Sequence, residues 1–363
     1  MKHGLQVKRL LREAIKATLL CILFLLCSSQ LAFGQYKTDK ISDLALIYQG
    51  GANRLDWTSE QFLPYVVHQF ADGHKDWLFD GFLFLDFSNG KGKGYAYGYN
   101  KENAGKEEWL WLLNRLFEKN KALSALDQCI QQEKKEIGNP GFKHQVVIGL
   151  PMALPDQKDW GTLSGVALDF SKQADQVKAM VWYVGELIKH FKAAKYKNLN
   201  LAGFYWLDED VATCKRLSKP ISDYIHGQNK KLCWIPYWKA KGFEQWKELG
   251  FDIAYQQPNH FFEANIPDSR LDDACQSAML HHMGMELEFD ERALSDCKDS
   301  FYNRMKAYID YFEKNNVFKN SAIAYYSGGD AILKMYQSHN PKDQEIMDRL
   351  ANLLIQRHHH RLK

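Results

Sequence analysis

Past its first thirty-four residues the chain has no apolar run long enough to cross a bilayer, and it has no basic stripe. The first absence leaves no membrane span in the mature chain. The second removes the electrostatic footprint that nucleic acid requires, so that partner class is set aside. No Cys-x-x-Cys pair and no His-Glu-x-x-His occurs, which argues against zinc. Asp208-Glu209-Asp210 lacks the glycine and spacing of a calcium loop. Neither a Gly-Lys-Ser/Thr phosphate loop nor a GxGxxG turn is present; Gly50-Gly51-Ala52-Asn53 follows the first strand instead. No metal and no cofactor are therefore expected. A Pro/Ser/Gly-rich spacer is also missing, so residues 35–363 are expected to form one domain.

What is present begins with Lys2, Lys8, Arg9, Arg12 and Lys16 ahead of an apolar run from Ala17 to Leu26. This is the charge-then-apolar layout of a signal peptide, and Ala32-Phe33-Gly34 offers the small residues a signal peptidase reads, predicting cleavage before Gln35. A lipoprotein cysteine at Cys27 is the alternative, but Leu25-Leu26 before it lacks the usual small residue. The expected location is secreted or periplasmic. Removing residues 1–34 takes away five basic side chains and one acid, turning the net charge from +3 to −1. Cys129, Cys214, Cys233, Cys275 and Cys297 remain, at spacings that form no disulfide framework; one bridge is possible and more than two are not.

Short β-branched or aromatic runs, each followed by turn residues and then a longer helical pattern, recur from end to end. They predict strands at Asp43 to Tyr48, Phe79 to Phe87, Gln145 to Leu150, Leu199 to Trp206, Leu232 to Tyr237, Asp252 to Gln256, His282 to Phe289 and Ala322 to Tyr326. Eight alternating units imply an α/β fold whose parallel sheet closes, a (β/α)8 TIM barrel. Thr58-Ser59-Glu60-Gln61 reads as a capping box, and Asp175 to Ala194 carries apolar residues at helical spacing. Ser88 to Tyr99, glycine-spaced with three tyrosines, is either a wall of the barrel mouth or a mobile surface loop.

Function in this fold sits at the carboxyl ends of the strands. In the seventh strand a period of two puts Met283, Met285, Leu287 and Phe289 on one face and Gly284, Glu286, Glu288 and Asp290 on the other. The apolar face belongs under the helices, so Glu286 and Glu288 point inward. Either they are paired with a cation such as Arg54 or His260, or they serve catalysis. The fourth strand runs Phe204-Tyr205-Trp206 into Asp208, Glu209 and Asp210, and parity does not choose which acid faces the mouth; Asp208 as a helix cap is the structural alternative. Two carboxylates across one mouth are what glycosidic-bond hydrolysis uses, one to protonate the leaving oxygen and one to attack or activate water. Trp206, Tyr237, Trp238 and Tyr326 suit stacking on sugar rings, while Asp208, Gln256, Gln257 and Asn259 suit binding hydroxyls. Asp86 closes the second strand as a third inward acid or a cap. His358-His359-His360 reads as a solvated helix end.

Leu46-Ile47-Tyr48, Arg54-Leu55-Asp56-Trp57, Phe79 to Leu85, Gly203 to Trp206 with Glu209, Trp234 to Tyr237, Gln256 to Asn259, Gly284 to Phe289 and Tyr325-Tyr326 together resemble a bacterial barrel family of unknown function, number 4855, frequent in secreted proteins. The resemblance implies a glycoside-hydrolase-like barrel and leaves substrate and mechanism open; a carbohydrate substrate is what the residues of the mouth suggest. By analogy with glycosidases of this fold, Glu209 would be the general acid/base, and Glu288 or Glu286 the nucleophile or base. A non-catalytic glycan-binding barrel is the alternative. Asp86 departs from the pattern, where Glu is common.

Overall fold

The computed structural model describes residues 41–212 and 215–361; the expected signal segment and Cys214 lie outside the described residues. Eight strands run in chain order around a closed parallel ring, β1 (Asp43–Tyr48), β2 (Gly81–Leu85), β3 (His144–Leu150), β4 (Leu199–Trp206), β5 (Lys231–Trp234), β6 (Ile253–Gln256), β7 (Gly284–Phe289) and β8 (Ile323–Ser327), with β8 pairing back onto β1. All eight stand where the runs of β-forming residues predict them, and the chain is a (β/α)8 barrel. The second is shorter than expected: Asp80 before it accepts from the Ser42 and Asp43 N–H groups at the start of β1, and Asp86 after it accepts from those of Phe87 and Ser88.

The outer layer is α1 (Ser59–Val66), α2 (Lys106–Leu116), α3 (Ala122–Ile137), α4 (Gln173–Ala194), α5 (Lys215–Gly227), α6 (Ser269–Leu280), α7 (Tyr302–Lys314), α8 (Val317–Asn320), α9 (Ala331–Gln337) and α10 (Pro341–Arg361). At the start of α1 the Thr58 N–H donates to Gln61 Oε1 at 2.8 Å, half of the capping box read from the sequence. In α4, Gln176, Ala179, Met180, Tyr183, Val184 and Leu187 form the buried stripe, at the spacing of one helix face. Gln176 tolerates burial because its amide donates to Ala153 O and accepts from Arg216.

One βα unit departs from the pattern. Between β5 and β6 there is only the 3-10 turn Phe243–Gln245. Aromatic rings cover the wall there instead: Trp234 stacks on Phe251 at 5.0 Å and Trp206 meets the same ring edge-on at 6.0 Å. Close approach at the neighbouring joint needs glycine, since a Cβ on Gly203 would stand 2.1 Å from Lys231 O, beside the register shift between β3 and β4.

Under the amino ends of the strands a second cluster of charge is buried. Arg357 of α10 donates to Asp43 Oδ2 at 3.0 Å and to the carbonyls of Ser42, Ser321 and Phe318, and the Tyr325 hydroxyl donates to Asp43 Oδ1 at 2.7 Å. His358 is part of this cluster, 4% exposed with Nε2 3.4 Å from Asp43 Oδ2, which corrects the solvated reading. Its neighbour His359 is exposed, 3.3 Å from Asp76. Burial opposes ionisation of Asp43, but Arg357 with His358 and Tyr325 holds its carboxyl below the ordinary range. The described cysteines are free, and no described helix is long and apolar enough to cross a membrane.

Candidate active site

The alternation expected of β7 is what the barrel uses. Met285, Leu287 and Phe289 are fully buried in the hydrophobic core, while Glu288 lies in register with Tyr326 of β8. Glu286 and Glu288 are 3% and 2% exposed, and both feel the charge of Glu209, which follows β4. Of the three acids after β4, Glu209 is the one that faces the mouth. Among the described residues no Lys, Arg or His pairs with these three carboxylates. Arg54 binds Asp86 at 3.1 Å and His260 binds Asp268 at 2.8 Å, so neither supplies the counter-charge considered for them from the sequence.

A chain of amides joins the two sides of the mouth. Asn259 Oδ1 accepts from the Trp238 N–H at 2.6 Å, which turns Nδ2 toward Gln257 Oε1 at 2.9 Å and Glu288 Oε1 at 3.3 Å. Gln257 Nε2 in turn donates to Glu209 Oε1 at 3.1 Å and to Ile235 O at 2.9 Å. Each amide is fixed in orientation by a backbone partner, so both carboxylates receive a donor.

Burial without cations favours the protonated acids. It raises Glu209, against hydrogen bonds from Gln257 and Tyr99; it pushes Glu288 up to about 7, against the Tyr308 hydroxyl; and together with the charges of Glu288 and Glu209 it holds Glu286 well above the carboxylate range. Groups of this kind can hold and release protons near neutral pH.

The other residues expected at the site divide. Tyr326 lines it, edge-on to Tyr48 at 5.6 Å, with burial pushing its hydroxyl up to about 12. Tyr237 stands on the rim, its hydroxyl donating to Asp210 Oδ2 at 2.9 Å, and Trp238 lies beside it under Arg270 at 5.0 Å. Asp208 is buried beneath the loop after β2, accepting from the Tyr97 N–H at 3.3 Å. Asp86 folds back onto the N–H groups of Phe87 and Ser88 and holds Arg54 over the Tyr48 ring at 4.7 Å. Trp206 and Gln256 are not in the mouth. Tyr205, one residue earlier, is the ring beside Glu209 and Glu286, so Trp206 turns to Phe251 on the other face. Gln256 sits between Tyr255, whose ring covers Gly284, and Gln257, and is fully buried away from the amide chain.

The loop Ser88–Tyr99 is a wall. Asn89, Tyr95 and Ala104 make backbone hydrogen bonds across it, Tyr95 is fully buried, and Lys93 pairs with Glu108 at 2.8 Å. Tyr99 stacks on Phe87 at 4.2 Å and turns its hydroxyl to Glu209, while Tyr97 is 64% exposed. Sequence reasoning flagged this loop but not the roles of Tyr99, Tyr48 or Tyr205, and it missed Tyr308 of α7, whose hydroxyl donates to Glu288 Oε2 at 2.5 Å. Nothing in the sequence near Tyr308 marks it out from the core positions of its helix.

The model of a family described as domain of unknown function (DUF4855) matches residues 43–352. The chain belongs to this family. DUF4855 thus spans all eight strands and every residue of the mouth described above. No curated protein matches the chain. Similar solved structures include two substituted forms of the tryptophan synthase α-subunit from Pyrococcus furiosus, 9% and 8% identical with TM-scores of 0.40 and 0.39. A chain from that organism's tryptophan synthase α2β2 complex is 9% identical with a TM-score of 0.37. Each comparison covers 87% of this chain and 98% of the other. Likeness at this level says nothing of what this DUF4855 chain binds.

Proposed function

We propose that this chain is a secreted or periplasmic glycoside hydrolase, released from a signal peptide before Gln35, that cleaves a polysaccharide or other glycan. The observation that carries the reading is the pair Glu209 and Glu288, brought to one mouth from β4 and β7, bridged by Gln257 and Asn259, and paired with no cation among the described residues. A cation paired with either carboxylate would hold it ionised and keep it from exchanging protons near neutral pH. Carboxyls held partly protonated suit an acid that protonates a departing glycosidic oxygen and a partner that attacks or activates water. Glu209, next to the rim, takes the acid/base role; a glutamate of β7 takes the other.

The exposed rings of Tyr97, Tyr99 and Tyr237, with Trp238, support carbohydrate as the substrate, because such faces stack on the C–H faces of pyranoses. The test is product release from a panel of plant, host and microbial glycans by the mature chain beside E209Q and E288Q. Cleavage that falls at least about a hundredfold in both variants, with binding kept, supports the reading. A folded wild type that binds glycans and cleaves none is a glycan-binding barrel.

A further inference from the structure

The β6–β7 ladder ends at Gln256–Met285, and beyond it the two strands are joined by side chains only. Through this part of the wall Tyr308 reaches in from α7. Its hydroxyl accepts from the His260 backbone N–H at 3.4 Å and donates to Glu288 Oε2 at 2.5 Å. The hydroxyl has one proton, and the nearest acceptor for it is this carboxylate oxygen, so toward an ionised Glu288 it donates. Asn259 Nδ2 occupies the other oxygen, and its orientation is set by the Trp238 N–H on the far side of the same amide. Glu288 thus accepts at both oxygens, from Asn259 Nδ2 and from the Tyr308 hydroxyl. Glu286, two residues earlier on the same face, receives no hydrogen bond from the described residues.

We propose that Tyr308 is a positioning residue that makes Glu288 the anion of the β7 pair and leaves Glu286 as the neutral acid beside it. Donors aimed at a carboxyl favour its charged form, and two carboxyls sharing a dry site do not both ionise. The groups facing Glu288 are Glu286 on its own strand, Glu209 after β4, Tyr326 on β8 and Tyr308 on α7. His260, on the loop after β6, offers its backbone while its ring is turned to Asp268, and Arg292 is committed to Asp290. Burial holds the Tyr308 hydroxyl far above its usual range, so it remains a donor. Within the hydrolase reading, on which its catalytic meaning rests, this division makes Glu288 the nucleophile or base. Glu286 then tunes it without touching substrate.

The test needs no substrate. Carboxyl carbons of glutamate-labelled protein are followed by NMR across pH, and the signals are assigned by their loss in E286Q and E288Q. The Glu288 signal is expected to titrate below that of Glu286. Tyr308→Phe is expected to move it up by about one to two pH units, the effect of one hydrogen bond to a charged group, while Glu209 stays in place. A Glu288 signal unmoved in Y308F, or one that titrates above Glu286 in the wild type, overturns the proposal; the wild-type order alone decides if Y308F does not fold. The expected titrations in a chain that cleaves no glycan would sink the hydrolase reading and leave this assignment standing.

Discussion

The two ends of the barrel bury acids in opposite ways. Beneath the amino ends of the strands, Asp43 is neutralised by Arg357 and His358 and held below the ordinary carboxylate range. At the carboxyl ends, Glu209 and Glu288 accept from neutral donors, Glu286 has no cation beside it among the described residues, and all three are raised. The same low-polarity interior therefore makes one cluster a fixed structural charge and the other a store of protons. A cation within reach decides which.

Breaking the lower cluster should cost most. Arg357→Leu leaves Asp43 buried without its counter-charge, and equilibrium urea unfolding is expected to show a loss of about 3–5 kcal/mol. The upper cluster should do the reverse. Glu288 rises from an ordinary 4.5 to about 7 on folding, so its contribution to stability is complete below pH 4.5 and is lost as pH climbs through 7. That is a fall on the order of 3 kcal/mol. E288Q should flatten this slope and unfold later than the wild type at pH 8, measured by melting across pH. Asp43 has the opposite sign, and its stabilisation persists above its ordinary 3.8 and is lost only in stronger acid. Tyr325→Phe, which removes one donor from Asp43, should cost about 1.5–3 kcal/mol. Tyr237→Phe at the exposed rim should change the unfolding midpoint by less than about 0.5 kcal/mol, so any loss of glycan affinity in it reports on the site and not the fold.

The fold was legible because every barrel strand is a buried run of β-forming residues bounded by turns, and such runs do not need their neighbours to be recognised. Glu286 and Glu288 were legible for the same reason, as polar residues alternating with apolar ones. At the end of β4 the same rule lost its grip. Tyr205 and Trp206 are equally aromatic, and only the missing helix after β5, which leaves Phe251 to be covered, explains why Trp206 turns outward. Gln256 and Gln257 posed the same ambiguity at β6. Tyr308 and Arg357 escaped for another reason: their partners lie 20 and 314 residues away, and no local pattern encodes a contact of that range.

Arg357 also bears on the order in which the molecule can be completed. It ties Ser42 and Asp43, at the first strand, to Ser321 at the last, from a helix that follows both. During synthesis the clasp emerges only after all eight strands, and the edges of β1 and β8 stay unpaired until the last of them has been made. A barrel fastened in this way acquires its last stabilising contact only after every strand is in hand, which makes its assembly late, non-local and sensitive to truncation of a helix that lies far from the mouth.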